Sequence, residues 1–243
     1  MNDLERIEAE GYAVFCELAG GEVTQLVGGL CLKTPIAAVE LNRVTNVSDE
    51  LDLDEVERVF GGSPHLVSVP PWVERLPERL TARGYACGYA WMKFERGPEP
   101  APRVESELRV QDATDLGLFM ATIGEGFGAP PDAARDPALV DRPGWHAFLA
   151  WDGDQPAAAA GLFVGGDVAW LGGAATRPAF RRRGAQTALL AARIERALAV
   201  GARRVCTETG ERVPGRADQS YRNILRAGFR EAYLRPNWRS PAH

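Results

Sequence analysis

Histidine and cysteine are scarce in this chain of 243 residues: His65, His146 and His243, and Cys16, Cys31, Cys87 and Cys206. No cysteines form a C-x-x-C pair and no cluster has metal-ligand spacing, so neither a zinc site nor a dithiol pair is indicated. Three scattered histidines also give no support to a Ser-His-Asp hydrolase. Basic charge is not in excess. The formal net charge is -5, and no overall positive field would hold nucleic acid or an anionic membrane. No apolar run approaches the roughly 20 residues of a membrane span. The opening stretch MNDLERIEAEGYAVF is acidic where a secretory signal would be basic. The GxGxxG and GxxxxGK[ST] nucleotide signatures are missing as well. These absences lead to the expectation of a cytoplasmic protein with reduced thiols, and with no metal, nucleic-acid or membrane partner.

What is present is ordinary in bulk, at 45% hydrophobic and 25% charged residues. The length suffices for one large domain or two modest ones. ERGPEPAPRVESE, residues 95–107, holds three prolines among alternating charges and reads as a linker. Beyond it, ATDLGLFMATIGEGFG suits a helix, and residues 146–173 read as three strands joined by turns at Asp152-Gly153-Asp154 and Gly165-Gly166-Asp167. A helix follows Gly184 to about Val200, with Leu190, Ile194, Ala197 and Leu198 on one face. RRVCTET is a strand, SYRNILRAG a helix and FREAYL a last strand. The N-terminal part repeats this order more faintly: AAVELNRVTNV a strand, LDEVERVF a helix, PHLVSV a strand, ERLPERLTARG a helix and YACGYAWMKF a strand. RLTARGYACGYAWMKF answers NILRAGFREAYLRPNW, which suggests an internal duplication.

Chemistry concentrates in AATRPAFRRRGAQTALL, residues 174–190, where Arg181, Arg182 and Arg183 crowd against Gly184 just before a helix. Like charges repel, so the cluster needs bulk solvent or an anion. A helix start offers unpaired N–H groups and the positive end of the dipole, glycine permits close backbone approach, and arginine donors suit phosphate. The strand before it ends in small residues, leaving peptide groups open to a long-armed ligand.

This stretch resembles the acetyl-CoA signature of the GNAT-superfamily N-acetyltransferases, Arg/Gln-x-x-Gly-x-Gly/Ala, and the resemblance extends over about residues 106–238. Gln186 departs from the small residue usual at its place. The resemblance implies an α/β (α+β) fold with a mixed, mostly antiparallel sheet flanked by helices, in two tandem GNAT-like copies. Residues 1–97 would be a degenerate N-terminal copy, 98–105 the linker and 106–243 the N-acetyltransferase domain. It implies that Gly173, Ala174, Ala175 and Thr176 bind the pantetheine arm and thioester. Arg181, Arg182, Arg183, Gly184, Ala185, Gln186 and Thr187 would bind the pyrophosphate, with Asn223 and Arg226 reaching the cofactor from the other side. For Asn223 a loop-fixing amide is an equal reading.

The implied reaction is direct transfer of acetyl from acetyl-CoA to a small-molecule amine or an exposed amino group. Many relatives carry an acidic tyrosine four residues before the glycine of the final Gly-Phe pair; here that residue is Ile224. Tyr221, about one turn earlier, is the substitute acid or a packing residue. Glu208 is the candidate base, through water, or a strand-end carboxylate that fixes the next loop. Trp145, Phe127 and Trp170 are candidates for the substrate pocket or for core. The N-terminal copy has VSDELDLDE in place of the glycine-arginine loop, and Asp49, Glu50, Asp52, Asp54 and Glu55 would repel a diphosphate. The missing tyrosine leaves a second class open, a non-catalytic acyl-CoA-binding sensor. A homodimer also stays open.

Overall fold

The protein is described by a computed structural model covering residues 2–35, 39–128 and 142–241. Two sheets, mostly antiparallel and flanked by helices, account for it. The first sheet begins with the hairpin β1 (Glu22–Leu26) and β2 (Gly29–Lys33), then β3 (Arg43–Thr45) and β4 (Leu66–Ser68), with β5 (Ala86–Cys87) at its far edge. The second holds β6 (Trp91–Arg96), β7 (Arg109–Asp112), β8 (Trp145–Asp152), β9 (Gln155–Gly165), β10 (Val168–Thr176), β11 (Arg204–Gly210) and β12 (Arg230–Arg235). The short strand β13 (Asn237–Arg239) is absent from the sequence reading, as are β1, β2, β7 and the N-terminal helix.

Each sheet contains one parallel pair, β3 with β4 and β10 with β11. A parallel pair needs a crossover, and a helix supplies it in both cases: α2 (Leu53–Phe60) and α5 (Ala185–Ala199). The remaining helices are α1 (Asp3–Leu18), α3 (Leu76–Ala82), α4 (Leu116–Gly126) and α6 (Gln219–Arg226).

The two sheets exchange strands. β6, which precedes the proline-rich segment, lies between β11 and β12, while β13 from the C-terminus lies between β4 and β5. The stretch read as one strand, YACGYAWMKF, is therefore split between the sheets: Ala86-Cys87 stays in the first and Trp91 onward crosses to the second. AAVELNRVTNV is also shorter than expected, a 3-10 turn at Val39–Leu41 followed by β3.

Alternation along β9 explains the layering of the second sheet. Ala158, Ala160 and Leu162 pack with Leu189, Leu190 and Ile194 of α5, whereas Ala159 joins Trp170, Phe15 of α1 and Phe119 of α4 on the opposite face. Small residues there let helices approach closely. Gly11 of α1 lies so near Trp170 that a β-carbon on it would come within 2.2 Å of the indole. Among the described residues no helix is long and apolar enough to cross a membrane.

Candidate active site

β10 and β11 run side by side only from Val168 opposite Arg204 to Trp170 opposite Cys206. Beyond that point β10 bulges between Gly172 and Ala175, with Gly173 at φ 55°, and the strands part. The Thr207 hydroxyl donates to the Leu171 carbonyl at 2.7 Å where the parting begins. Two adjoining cavities open there. The larger, about 660 Å³, lies against the start of α5, and the smaller, about 270 Å³, lies deeper between the diverging strands. Phe127, Ala174, Gln186 and Ser220 line both.

The start of α5 is left open. Gly184 is the N-cap in the left-handed region, at φ 78°, and no side chain caps the helix. Arg182 is left-handed too, at φ 66°, an uncommon state for a residue with a β-carbon and a mark of local constraint. Unpaired N–H groups, the helix dipole and two arginines thus converge on one space. Arg181, Arg182, Gly184, Ala185, Gln186 and Thr187 line the larger cavity, as do Ala174, Ala175 and Thr176 of β10 and Asn223 and Arg226 of α6. Gly173 faces the smaller cavity.

Arg183 is the exception in the loop. Its guanidinium grips Asp152 with Nη1–Oδ2 at 2.5 Å and Nη2–Oδ1 at 2.9 Å, and it does not line the cavity. The triple-arginine repulsion is relieved in this way, leaving Arg181 and Arg182 at the opening with Arg226 of α6. Gln186 bridges the helices: its Nε2 donates to Ser220 Oγ at 3.0 Å, and its Oε1 accepts from Asn223 Nδ2 at 2.8 Å. Asn223 both lines the cavity and fixes this bridge.

Glu208 lines the smaller cavity, and its oxygens accept several bonds. Trp170 Nε1 donates to both oxygens at 3.2 and 2.9 Å, Tyr12 donates to Oε1 at 3.1 Å and Lys93 to Oε2 at 3.3 Å. Behind it lies a buried ionic network. Lys93 pairs with Glu8, and Arg235 holds Glu8 at 2.6 and 2.8 Å and Glu5 at 2.8 Å. Arg43 is sandwiched between the rings of Tyr12 and Trp91, at 4.5 and 4.2 Å. Glu5, Glu8 and Glu208 thus face Lys93, Arg43 and Arg235, three charges of each sign, a balance that burial demands. Burial, reinforced by Glu208, raises the Tyr12 hydroxyl well above its ordinary value and keeps it a donor.

Tyr221 is turned away from both cavities. Its hydroxyl donates to Glu231 at 2.5 Å, and its ring packs edge-on against Phe94. Burial, with the bond to Glu231, pushes it up to about 12. As an acid for the reaction it is misplaced: helical spacing put it one turn from Ile224, but Ile224 is the residue that lines the smaller cavity. Trp145 and Trp170 are core, at 7% and 0% exposure, whereas Phe127 is 60% exposed and covers the junction of the cavities.

Sequence reasoning missed Tyr12, Trp91, Lys93 and Arg193. A signal existed for the last: Arg193 follows Leu189 and Leu190 at helical spacing on the buried face, a charge at a core position.

A bulged strand splays from its parallel neighbour, with a glycine-started helix across the gap, and backbone groups face the space between them. Residues 116–214 match the family model Acetyltransferase (GNAT) family. That family transfers an acyl group from acyl-CoA to an amine. The fold is shared with a GCN5-related N-acetyltransferase from Kribbella flavida, at 17% identity over 99% of this chain and 95% of that one, with a TM-score of 0.65. A tandem GNAT protein from the clavulanic acid biosynthesis pathway, solved without AcCoA, is 16% identical over 99% and 93%, with a TM-score of 0.58. An acetyltransferase of the GNAT family from Colwellia psychrerythraea is 13% identical over 98% and 96%, with a TM-score of 0.52. At such identities the likeness is one of fold. No curated protein matches the sequence.

Proposed function

We propose that the protein transfers an acetyl group from acetyl-CoA, its donor substrate, to the amine of a small molecule or an exposed amino group. The observation that carries this reading is the uncapped start of α5 at Gly184, opening onto a cavity that continues to the Glu208 carboxylate. In this reading the N–H groups of residues 185–187, with Arg181 and Arg182, hold the pyrophosphate, and Ala174–Thr176 pair with the pantetheine amides. Bound acetyl-CoA supplies the activated acyl carbon. Glu208 acts on the amine proton through a water, since its own oxygens already accept from Tyr12, Trp170 and Lys93.

The N-terminal part, in the same reading, is a GNAT-like copy that lost its donor site. A cavity of about 750 Å³ opens beyond the parallel pair β3 and β4, lined by Ser48, Asp49 and Glu50. There the α2 start is already filled: Asp52 Oδ1 accepts from Asp54 N at 2.9 Å and Glu55 N at 3.3 Å. Tyr12 and Trp91 then serve the other copy as walls of its acyl cavity.

Free-thiol release from acetyl-CoA with a panel of amines tests the enzymatic reading. Glu208→Gln should lower kcat by about 10²-fold or more, as for loss of a base, with CoA affinity nearly intact. CoA binding without thiol release for any amine would leave the sensor reading, which Ile224 at the apolar acid position favours.

A further inference from the structure

Departure of the thiol needs somewhere for negative charge to go. The Tyr12 and Thr207 hydroxyls at the smaller cavity are already donating, to Glu208 and to the Leu171 carbonyl; Thr209 and Ser220 also line it, and Ser220 Oγ accepts from Gln186 Nε2. Among the described residues lining it, Arg193 is the single cation. That arginine is 2% exposed and forms no ion pair with any described residue. Its Nε donates to the Leu189 carbonyl at 3.0 Å, and its Nη1 to the carbonyls of Gly161 and Gly172 at 3.0 and 3.3 Å. Gly172 is where β10 begins its bulge, so the guanidinium is fixed to the backbone that shapes the cavity.

A buried cation held only by carbonyls keeps its charge uncompensated at short range, which is costly unless a negative group arrives. Burial pushes the guanidinium down to about 9, with Glu208 opposing. Ser220 and Ile224, facing from α6, bring no charge. The other groups around the cavity are Glu208 and the neutral Tyr12, backed by Lys93 and Arg43.

We infer that Arg193 receives the thiolate charge of CoA, in place of an acidic hydroxyl. As the C–N bond forms and the C–S bond breaks, the electron pair leaves on sulfur beside the guanidinium. The amine proton goes to Glu208 through water, so no proton need reach sulfur for the acyl group to leave. This inference rests on the acetyl-CoA reading above.

The test is calorimetry with CoA and desulfo-CoA, which lacks the sulfur, between about pH 6 and about pH 9, a range that spans ordinary thiol titration. A thiol whose bound form ionises more easily binds tighter as pH rises, because the free thiol is still protonated. Wild-type protein should therefore favour CoA over desulfo-CoA increasingly with pH, by about tenfold for each pH unit by which the bound thiol titrates early. Arg193→Met should erase that preference, so that CoA and desulfo-CoA bind alike at every pH; Arg193→Lys should retain part of it. Equal affinities at every pH in wild type, or a preference that survives Arg193→Met, would overturn the inference. The wild-type titration decides even if the methionine variant does not fold. Failure of both ligands to bind would instead refute the acetyl-CoA reading and this inference with it.

Discussion

Glu5 shows at the residue scale why the buried network is there. Its carboxylate is 2% exposed and accepts from Tyr233 at 2.5 Å and Arg235 at 2.8 Å. Burial alone would raise its carboxyl, but Arg235 and Lys93, with the Tyr233 bond, hold it below the ordinary 4.5. A carboxyl lowered on folding stabilises the protein above its ordinary value, and that stability is lost as pH falls through the lowered one. Glu5→Gln should therefore destabilise at neutral pH, on the order of 3 kcal/mol for breaking a buried pair. Its deficit against wild type should shrink as pH drops below 4.5. Urea unfolding of both proteins across that range gives the answer, and a deficit that stays constant would mean that Glu5 is not ionised in the folded state. None of this was legible from sequence, since Glu5 and Glu8 read as ordinary charges of an acidic segment until α1 packs against β10 and β12 brings Arg235 over them.

At the scale of elements, the reciprocal placement of β6 and β13 ties the two sheets together. Each sheet receives a strand from the other side of the proline-rich segment, between its own parallel pair and its own outer strand. Arg96 Nη1 donates to the Ala227 carbonyl at 2.7 Å, and Nη2 to the Glu99 carbonyl at 2.5 Å, anchoring the segment where it leaves β6. A protease cut within residues 98–105 should leave both pieces joined through size-exclusion chromatography and melting as one transition; pieces that elute apart would show that the exchanged strands contribute little. From β3 onward most of the strand-helix order was legible, because periodicity and glycines after helices are local signals, whereas α1, the β1–β2 hairpin and β7 were not read. The exchange was not. A run such as Tyr85 to Phe94 carries no local mark that Tyr89 and Ala90 leave one sheet for another, and pairing partners are set by long-range packing. The loop ahead of α5 was legible for the opposite reason: Gly184, the arginines and α5 are contiguous. Tyr221 misled because one helical turn separates a residue facing the cavity from one facing Glu231.

For the whole molecule, the proposed function requires one acetyl-CoA per chain, at the α5 start and nowhere else. The two helix starts differ in kind. At α2, Asp52 already occupies the N–H groups that a phosphate would use, and Asp49 caps α3 through Arg75 N and Leu76 N at 2.7 and 2.9 Å. At α5 the groups are open. The direct measurement is a calorimetric titration of CoA into wild type, Gly184→Asp and Asp52→Asn. Its chain neighbours aside, a β-carbon at Gly184 would meet nothing nearer than Ser106 Oγ at 3.9 Å. Aspartate tolerates the left-handed region better than most residues, so the variant should fold, as circular dichroism can verify. Its carboxylate would cap the helix and repel the pyrophosphate. The expected result is one CoA per wild-type chain, affinity at least about tenfold weaker in Gly184→Asp for the loss of charge-assisted bonds, and no change in Asp52→Asn. Two CoA per chain, or full affinity in a folded Gly184→Asp protein, would contradict it.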